Sequence, residues 1–255
     1  MIKKIIHLFM YANIILGFNI NFFKKEIIQS VYLSKICYLC NKNQNIINEY
    51  KFLNEYNKVF YITDKTNNYL SVITYNNNKI NIAFRGTINK NNLMLNLYAK
   101  QESYLNKSMK IHSGYLNIYL NFKENLIFVI NNIIKNNNIK LFIITGHSLG
   151  GCIASLCALD LLNYYNNNTK NNYNFRCYTF GSPKIGNNNF ANYYNSKIKY
   201  SYRFVNNNDI ICVFPPTFFY THIGHQINLN NTKTYNFIKQ HEIDAYITNI
   251  KKMIY

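Results

Sequence analysis

Acidic side chains are scarce in this 255-residue chain, which has 10 Asp and Glu residues against 28 Lys and Arg residues and a formal net charge of +18. Such a balance is compatible with binding to nucleic acid or to an anionic membrane surface. The lysines are scattered, however, and form no block of five or six. Asn makes up about a fifth of the chain, as is typical of a protein from an AT-rich genome. We attribute the charge to this composition and expect no nucleic-acid partner.

Residues that usually form linkers are also few, since the chain has only 3 Pro and 9 Gly. Trp is absent. The chain has no internal repeat and no Pro-, Gly- or Ser-rich stretch that would mark a domain boundary. With 48% hydrophobic residues it is too apolar for a disordered protein. Its length suits one domain with a large core rather than two of ordinary size. We therefore predict a single domain over residues 21–255.

The first 20 residues form a basic and apolar leader. Lys3 and Lys4 precede an apolar stretch over 5–20 that is interrupted by His7, Asn13 and Asn19. A membrane span needs roughly 20 clean apolar residues, and this stretch is shorter. A basic start followed by a short apolar segment is typical of a signal peptide. We predict such a leader over residues 1–20 and hence secretion; the alternatives are a first helix of the domain or a membrane anchor.

The six cysteines do not have the spacing of a zinc site. Cys37 and Cys40 form a C-x-x-C pair, but no second pair lies at the required distance, and we expect no metal. A local disulfide between these two is compatible with secretion. Cys152, Cys157 and Cys177 lie in apolar sequence and are predicted to be buried free thiols.

Strand and helix patterns alternate through the middle of the chain. The pattern predicts strands at 59–63, 70–75, 80–84, 140–145, 175–180 and 200–205, and helices at 114–134 and 153–165. Asn clusters at 76–78, 136–138, 166–168, 187–189 and 206–208 are interpreted as loops, the first as a hairpin turn. This order predicts an α/β fold, with a mostly parallel central sheet flanked by helices and an antiparallel start at its edge.

A candidate nucleophile stands between the strand at 140–145 and the helix that follows. Residues 146–151 read GHSLGG, a G-x-S-x-G pattern with a strand before it and a helix after it. A serine on so tight a turn requires glycines at Gly146 and Gly150, because side chains there would collide. The turn exposes the Ser148 hydroxyl at the carboxyl end of the sheet, next to a helix N-terminus that favours negative charge. Ser148 is therefore the predicted nucleophile.

At this point the chain resembles the class 3 lipases, the fungal-type branch of the α/β-hydrolase superfamily. Six segments carry the resemblance in the same order as in that family: Phe84-Arg85-Gly86-Thr87, His112-Ser113-Gly114-Tyr115, 145–151, 179–187, Arg203 to Pro216, and Tyr220-Thr221-His222-Ile223-Gly224. They span roughly residues 58–250. The resemblance implies an α/β-hydrolase fold and a Ser–Asp–His triad that needs neither metal nor cofactor.

The acid of such a triad follows the serine along the chain and precedes the histidine. After Ser148 the acidic residues are Asp160, Asp209, Glu242 and Asp244. Asp160 lies about three turns along the helix of the serine, and no histidine follows the last two. Asp209 follows the strand at 200–205, and the family pattern selects the same residue, so Asp209 is the predicted acid.

The order of the triad does not identify the base uniquely, because three histidines follow Asp209: His222, His225 and His241. His241 begins a segment that resembles the H-x-x-x-x-Y of the family, and we favour it. His222 matches a family position that is usually structural. His147, beside the serine, is predicted to pack away from the reacting face, and His112 to be structural.

The oxyanion hole needs two preorganised hydrogen-bond donors. One is the backbone N–H of Leu149, the residue after the nucleophile. By resemblance the other is Thr87, through its backbone N–H and its hydroxyl. Arg85 would then tie this loop to the rest of the domain.

In the family the segment after the oxyanion loop forms a lid, here residues 88–100. Leu93, Met94, Leu95 and Leu97 lie among Asn and Lys, so one side of this segment could face lipid. The alternative is that it packs on the core. The family commonly has Trp near position 93, where this chain has Leu, which puts interfacial activation in question. The lysines at 90, 100, 107 and 110 would favour an anionic interface.

These features predict a serine carboxylester hydrolase acting on acyl lipids, most of all a triacylglycerol lipase, with transient contact at a lipid–water interface. A phospholipase A1 and a non-lipid esterase remain alternatives. A catalytically silent lipid-binding homologue is an alternative of another class, although it would be expected to have lost a triad residue or a glycine of the turn.

Overall fold

The structure, a computed structural model, describes residues 20–40, 49–63, 70–87, 100–169, 172–216, 218–229 and 236–255. The predicted leader lies outside these residues except for Ile20, where the first described helix begins. The predicted lid lies outside them except for Lys100. Both therefore remain predictions. No helix in the described ranges has the length and hydropathy that crossing a membrane requires.

Seven described strands form one sheet in the order β1-β2-β3-β6-β7-β8-β9. They are β1 Lys58–Thr63, β2 Leu70–Tyr75, β3 Lys79–Phe84, β6 Leu141–His147, β7 Asn174–Phe180, β8 Tyr200–Asn206 and β9 His225–Leu229. The first three pair antiparallel, and all pairs from β3 to β9 are parallel. A separate antiparallel pair consists of β4 Gln101–Tyr104 and β5 Asn106–His112. The predicted mostly parallel sheet with an antiparallel edge is confirmed.

Helices cover both faces of this sheet. They are α1 Ile20–Leu39, α2 Ser113–Lys135, α3 Leu149–Asn168, α4 Asn188–Lys197, α5 Phe237–His241 and α6 Ile243–Ile254. On β6, Phe142 and Ile144 pack with residues of α2 and α3, whereas Ile143 packs with residues of α1 and α6. This alternation is why the strand is apolar throughout, since successive side chains enter cores on opposite faces.

Some local predictions are wrong. Asn166 to Asn168 form the last turn of α3 rather than a loop. Asn187 is the N-cap of α4 and accepts a hydrogen bond from the Phe190 N–H, so the cluster at 187–189 begins a helix. Asn is a favoured N-cap residue, which explains the second error. Cys37 and Cys40 are free, as are the other cysteines, and all six are buried.

The parallel strands bring four loops to one edge of the sheet. The segment Arg85 to Thr87 follows β3, Ser148 follows β6, Gly181 follows β7 and Asp209 follows β8. Carboxyl ends of parallel strands share one edge, and loops there commonly build ligand sites. The candidate site residues are therefore neighbours although they lie far apart in the chain.

Candidate active site

Ser148 occupies the turn between β6 and α3 in a strained backbone conformation. Its φ is 58° and its ψ is −131°, a region that non-glycine residues rarely adopt. Its N–H donates to the Phe180 carbonyl at 2.9 Å, which ties the turn to β7. A Cβ at Gly146 would collide with the Gly150 carbonyl, as the G-x-S-x-G pattern predicts. The turn therefore depends on both glycines.

His241 lies next to the serine. Its Nε2 lies 2.8 Å from Ser148 Oγ. Because the serine hydroxyl carries a proton, it can donate to an unprotonated Nε2. His241 ends α5, whose N-cap Asn236 accepts a hydrogen bond from the Lys239 N–H at 3.1 Å. The short helix thus places the imidazole at the serine.

Asp209 completes a hydrogen-bonded series with His241. Its Oδ2 accepts from His241 Nδ1 at 2.8 Å and from the Tyr246 hydroxyl at 2.6 Å, and its Oδ1 accepts from the Ile211 N–H at 3.0 Å. Burial would raise the pKa of Asp209, but these hydrogen bonds and the facing imidazole outweigh burial and lower it. The carboxylate is therefore ionised at neutral pH and can hold the imidazole in one tautomer.

The other candidates lie elsewhere. His222 Nε2 contacts the Cys212 carbonyl at 2.8 Å, and His225 is exposed on β9. Asp160 pairs with Lys123 at 2.9 Å, and Asp244 pairs with Lys35. Of the three histidines that the sequence left open, His241 is the one beside Ser148.

The predicted oxyanion residues adjoin the serine. Leu149 is the first residue of α3, and its side chain is buried. A Cβ at Gly86 would lie 3.1 Å from Ser148 Cβ, so the loop bearing Thr87 packs directly against Ser148. The Thr87 hydroxyl is buried and has no hydrogen-bond partner in the described part of the chain.

Several residues that support the site were missed as such from the sequence. Tyr246 of α6 donates to Asp209 and accepts from the Asn206 N–H at 3.2 Å. Lys184 is buried and donates to the Val213 and Pro215 carbonyls, which holds the loop after Asp209. Both lie in segments that carried the family resemblance, so the signal was present although their contacts were not predictable. His147 is buried as expected, but it also touches the His241 main chain.

Among the described residues, no group of three or more His, Cys, Asp or Glu side chains is arranged to hold a metal ion.

One buried and one half-buried histidine should make the fold sensitive to acid. Burial, then the neighbouring His241, lowers the pKa of His147 to about 3, and burial, then Arg203, lowers that of His222 to about 3. An unfolded histidine has a pKa of about 6.5. Both groups therefore stabilise the fold above that value, and the unfolded chain takes up more protons as the pH falls. As the pH falls from about 6.5 to about 3, the free energy of unfolding should drop by roughly 1.4 kcal/mol per histidine for each pH unit.

Urea unfolding followed by circular dichroism at pH 7, 6 and 5 measures this dependence. His222→Gln should reduce the slope by about half, because it removes one of the two groups. His225→Gln, which changes an exposed histidine on β9, is the matched control. A wild-type stability that does not vary across this range would contradict the assignment.

Three features define an α/β-hydrolase. They are a strained serine directly after a parallel strand, a histidine and a carboxylate hydrogen-bonded in series to that serine, and the order of the strands in the sheet. Residues 81–219 match the family lipase (class 3), and this segment is more than half of the chain. The chain belongs to this family, as the sequence motifs predicted.

Three comparisons illustrate the relationship. The chain is 37% identical over 150 residues to a lipase of Rhizomucor miehei, covering 58% of this chain and 40% of the relative. It is 31% identical over 142 residues to secreted mono- and diacylglycerol lipase 1 of Fusarium solani, covering 55% and 40%. A solved triacylglycerol lipase, described as having a serine protease triad as its catalytic centre, is 28% identical with a TM-score of 0.62, covering 68% of this chain and 67% of the other. The chain thus spans about two fifths of the length of these two curated relatives.

Proposed function

We propose that this chain is a serine carboxylester hydrolase that acts on acyl lipids, with triacylglycerols as the preferred class. One observation carries the proposal: Ser148, His241 and Asp209 form a hydrogen-bonded series with two links of 2.8 Å. An adjacent base and a residue that orients the base are what a hydroxyl nucleophile requires. The names of relatives given above support a lipid substrate.

Each group has a role in the proposed reaction. Ser148 Oγ attacks the ester carbonyl carbon while its proton passes to His241 Nε2. The negative charge that develops on the carbonyl oxygen is stabilised by the Leu149 N–H and by Thr87, each donor contributing about 2.7–4 kcal/mol. His241 then gives the proton to the leaving alcohol, and an acyl-Ser148 ester remains. Water attacks this ester with His241 again as the base, which releases the fatty acid and restores the serine.

Four exposed apolar side chains, three on the segment after Asp209 and one on α5, support action at a lipid surface. They are Val213, Phe218, Phe219 and Ile238, whose exposed fractions are 60%, 95%, 70% and 60%. Val213 ends the 3₁₀ helix that follows Asp209, and Ile238 lies on α5, which packs against this helix. Large exposed apolar side chains near a site are typical of membrane or lipid contact. The net charge of +18 would favour an anionic interface.

We also propose that the protein is secreted and that it has a single hydrolase domain. The Fusarium solani relative is named a secreted lipase, which supports a secreted location for this chain. Residues 1–20 would be the leader, and residues 21–255 the single hydrolase domain.

The test is a substrate panel: emulsified triolein, dioleoylglycerol, dioleoyl-phosphatidylcholine vesicles and soluble p-nitrophenyl acetate. We expect fatty acid release from triolein and dioleoylglycerol. The double variant Phe218→Ser, Phe219→Ser should lower hydrolysis of the emulsions about thirtyfold, since burying half of each ring in lipid contributes roughly 1 kcal/mol, or roughly 2 kcal/mol for the pair. Hydrolysis of p-nitrophenyl acetate should stay unchanged. Phe128→Ser, at an exposed phenylalanine of α2, is the matched control.

The other outcomes select the alternatives. Activity on p-nitrophenyl acetate alone would indicate a non-lipid esterase, and cleavage of phosphatidylcholine alone would indicate a phospholipase A1. A folded protein that binds acyl lipid but releases no product from any of the four substrates would indicate a silent lipid-binding homologue.

A further inference from the structure

A series of hydrogen bonds outside the proposed triad reaches His241 from the first described helix. The Tyr38 hydroxyl, near the end of α1, lies 2.8 Å from His147 Nδ1, and the two rings meet edge to face at 5.8 Å. His147 Nε2 lies 2.6 Å from the backbone carbonyl oxygen of His241. No step of the proposed reaction uses Tyr38 or the side chain of His147.

The positions of the protons in this series follow from the chemistry of its members. A carbonyl oxygen can only accept, so His147 Nε2 carries a hydrogen and donates to His241. Burial keeps His147 neutral, with its pKa lowered to about 3, so its Nδ1 has a lone pair and no proton. The Tyr38 hydroxyl must therefore donate to Nδ1. Tyr38 of α1 thus donates to His147, and His147 donates to the His241 main chain.

The same tyrosine touches the predicted oxyanion loop. Burial raises the pKa of Tyr38, and a hydrogen bond from the Gly86 N–H opposes this rise. A Cβ at Gly86 would collide with the Tyr38 hydroxyl and would approach the His147 carbonyl to 2.6 Å. Tyr38 therefore packs against the loop that carries Thr87 and donates to the residue that holds His241.

We propose that Tyr38 and His147 are positioning residues that fix the His241 main chain relative to the oxyanion loop. The inference rests on the proposed function, because it assumes His241 as the base. Asp209 holds the imidazole ring, and His147 holds the backbone from which the ring extends. Together they keep Nε2 at 2.8 Å from Ser148 Oγ, and misplacement by about 1 Å can cost 10²-fold in rate.

The neutral state of His147 also matters for the charge that His241 takes up during the reaction. Its ring centroid lies 4.8 Å from that of His241. If His147 were charged, it would oppose the imidazolium that His241 becomes during the reaction. The donated Tyr38 hydrogen bond occupies the Nδ1 lone pair and so favours the neutral tautomer with hydrogen on Nε2.

The kinetic test compares Tyr38→Phe with Tyr32→Phe, a half-buried tyrosine on the same helix that lies away from the site. Tyr38→Phe should lower kcat on p-nitrophenyl acetate about tenfold with KM unchanged, since one oriented hydrogen bond is lost. Tyr32→Phe should match the wild type. His147→Gln can still donate to the His241 carbonyl and should retain more activity than His147→Leu. Circular dichroism melting of each variant checks that it folds.

A second measurement reads the series directly and does not depend on turnover. In ¹⁵N-histidine-labelled protein, NMR should find His147 neutral with hydrogen on Nε2 from pH 8 to pH 5. Tyr38→Phe should shift the His147 and His241 resonances, and Tyr32→Phe should not. Hydrogen on Nδ1, unchanged His241 resonances in Tyr38→Phe, or full kcat in that variant would overturn the inference. A wild type that hydrolyses no ester would instead count against the proposed function, while the NMR result would still decide the inference.

Discussion

Replacing Ser148 by alanine is expected to lower kcat for ester hydrolysis by a factor on the order of 10⁶. The reason is that the only hydroxyl within reach of His241 Nε2 in the described structure belongs to Ser148, at 2.8 Å. Alanine fits the space left by the serine, so the turn between β6 and α3 should persist. Hydrolysis of p-nitrophenyl butyrate is the measurement, and circular dichroism follows folding because the chain has no Trp.

Ser196→Ala is the matched control for this variant. Ser196 is an exposed residue of α4, and its hydroxyl donates to the Tyr193 carbonyl. It should retain wild-type kcat. A folded Ser148→Ala protein with more than a hundredth of the wild-type activity would mean that another group is the nucleophile.

Asp209→Asn is expected to lower kcat about 10⁴-fold while leaving the fold intact. An amide is nearly the size of the carboxylate but carries no charge to stabilise the imidazolium of His241. Its NH₂ group can also face Nδ1, which would favour the wrong tautomer of the base. The Ile211 N–H and the Tyr246 hydroxyl, which both donate to Asp209, would lose strong charged acceptors. Single-turnover kinetics with p-nitrophenyl butyrate measure the loss.

Asp160→Asn makes the same chemical change on α3, where the carboxylate pairs with Lys123 and accepts from the Tyr119 hydroxyl at 2.7 Å. Its kcat should equal that of the wild type. If the Asp209 variant lost less than about tenfold, Asp209 would be a structural residue rather than the partner of the base. Tyr246→Phe should give an intermediate loss, because it removes one of three hydrogen bonds to the carboxylate.

The parts of the fold that the sequence could predict are those coded by local pattern. The strand at 70–75 matches its predicted bounds, and the continuous apolar run before Ser148 is a parallel strand buried on both faces. Asp209 could be selected because acids are so few. The helix α4 was missed because Asn is read as a loop former, although it also caps helices.

Tertiary contacts between residues far apart in the sequence could not be predicted. Tyr38 lies 109 residues before His147, and no spacing rule links a position on α1 with the turn after β6. The strand β9 was missed because its residues are mostly polar and exposed at the sheet edge. His241 could be placed by resemblance alone, since the sequence left three histidines open. Local patterns therefore predicted the frame of the site, and the tertiary packing determines which residues support it.

The most direct measurement is labelling of the protein with p-nitrophenyl butylphosphonate, followed by intact-mass and peptide analysis. We expect release of one p-nitrophenol per chain, a single adduct on the peptide that contains Ser148, and loss of hydrolysis in proportion to labelling. His241→Ala should slow labelling by several orders of magnitude, because the serine loses its base. An adduct on another residue, or labelling of Ser148 at the same rate without His241, would contradict the proposal that His241 activates Ser148.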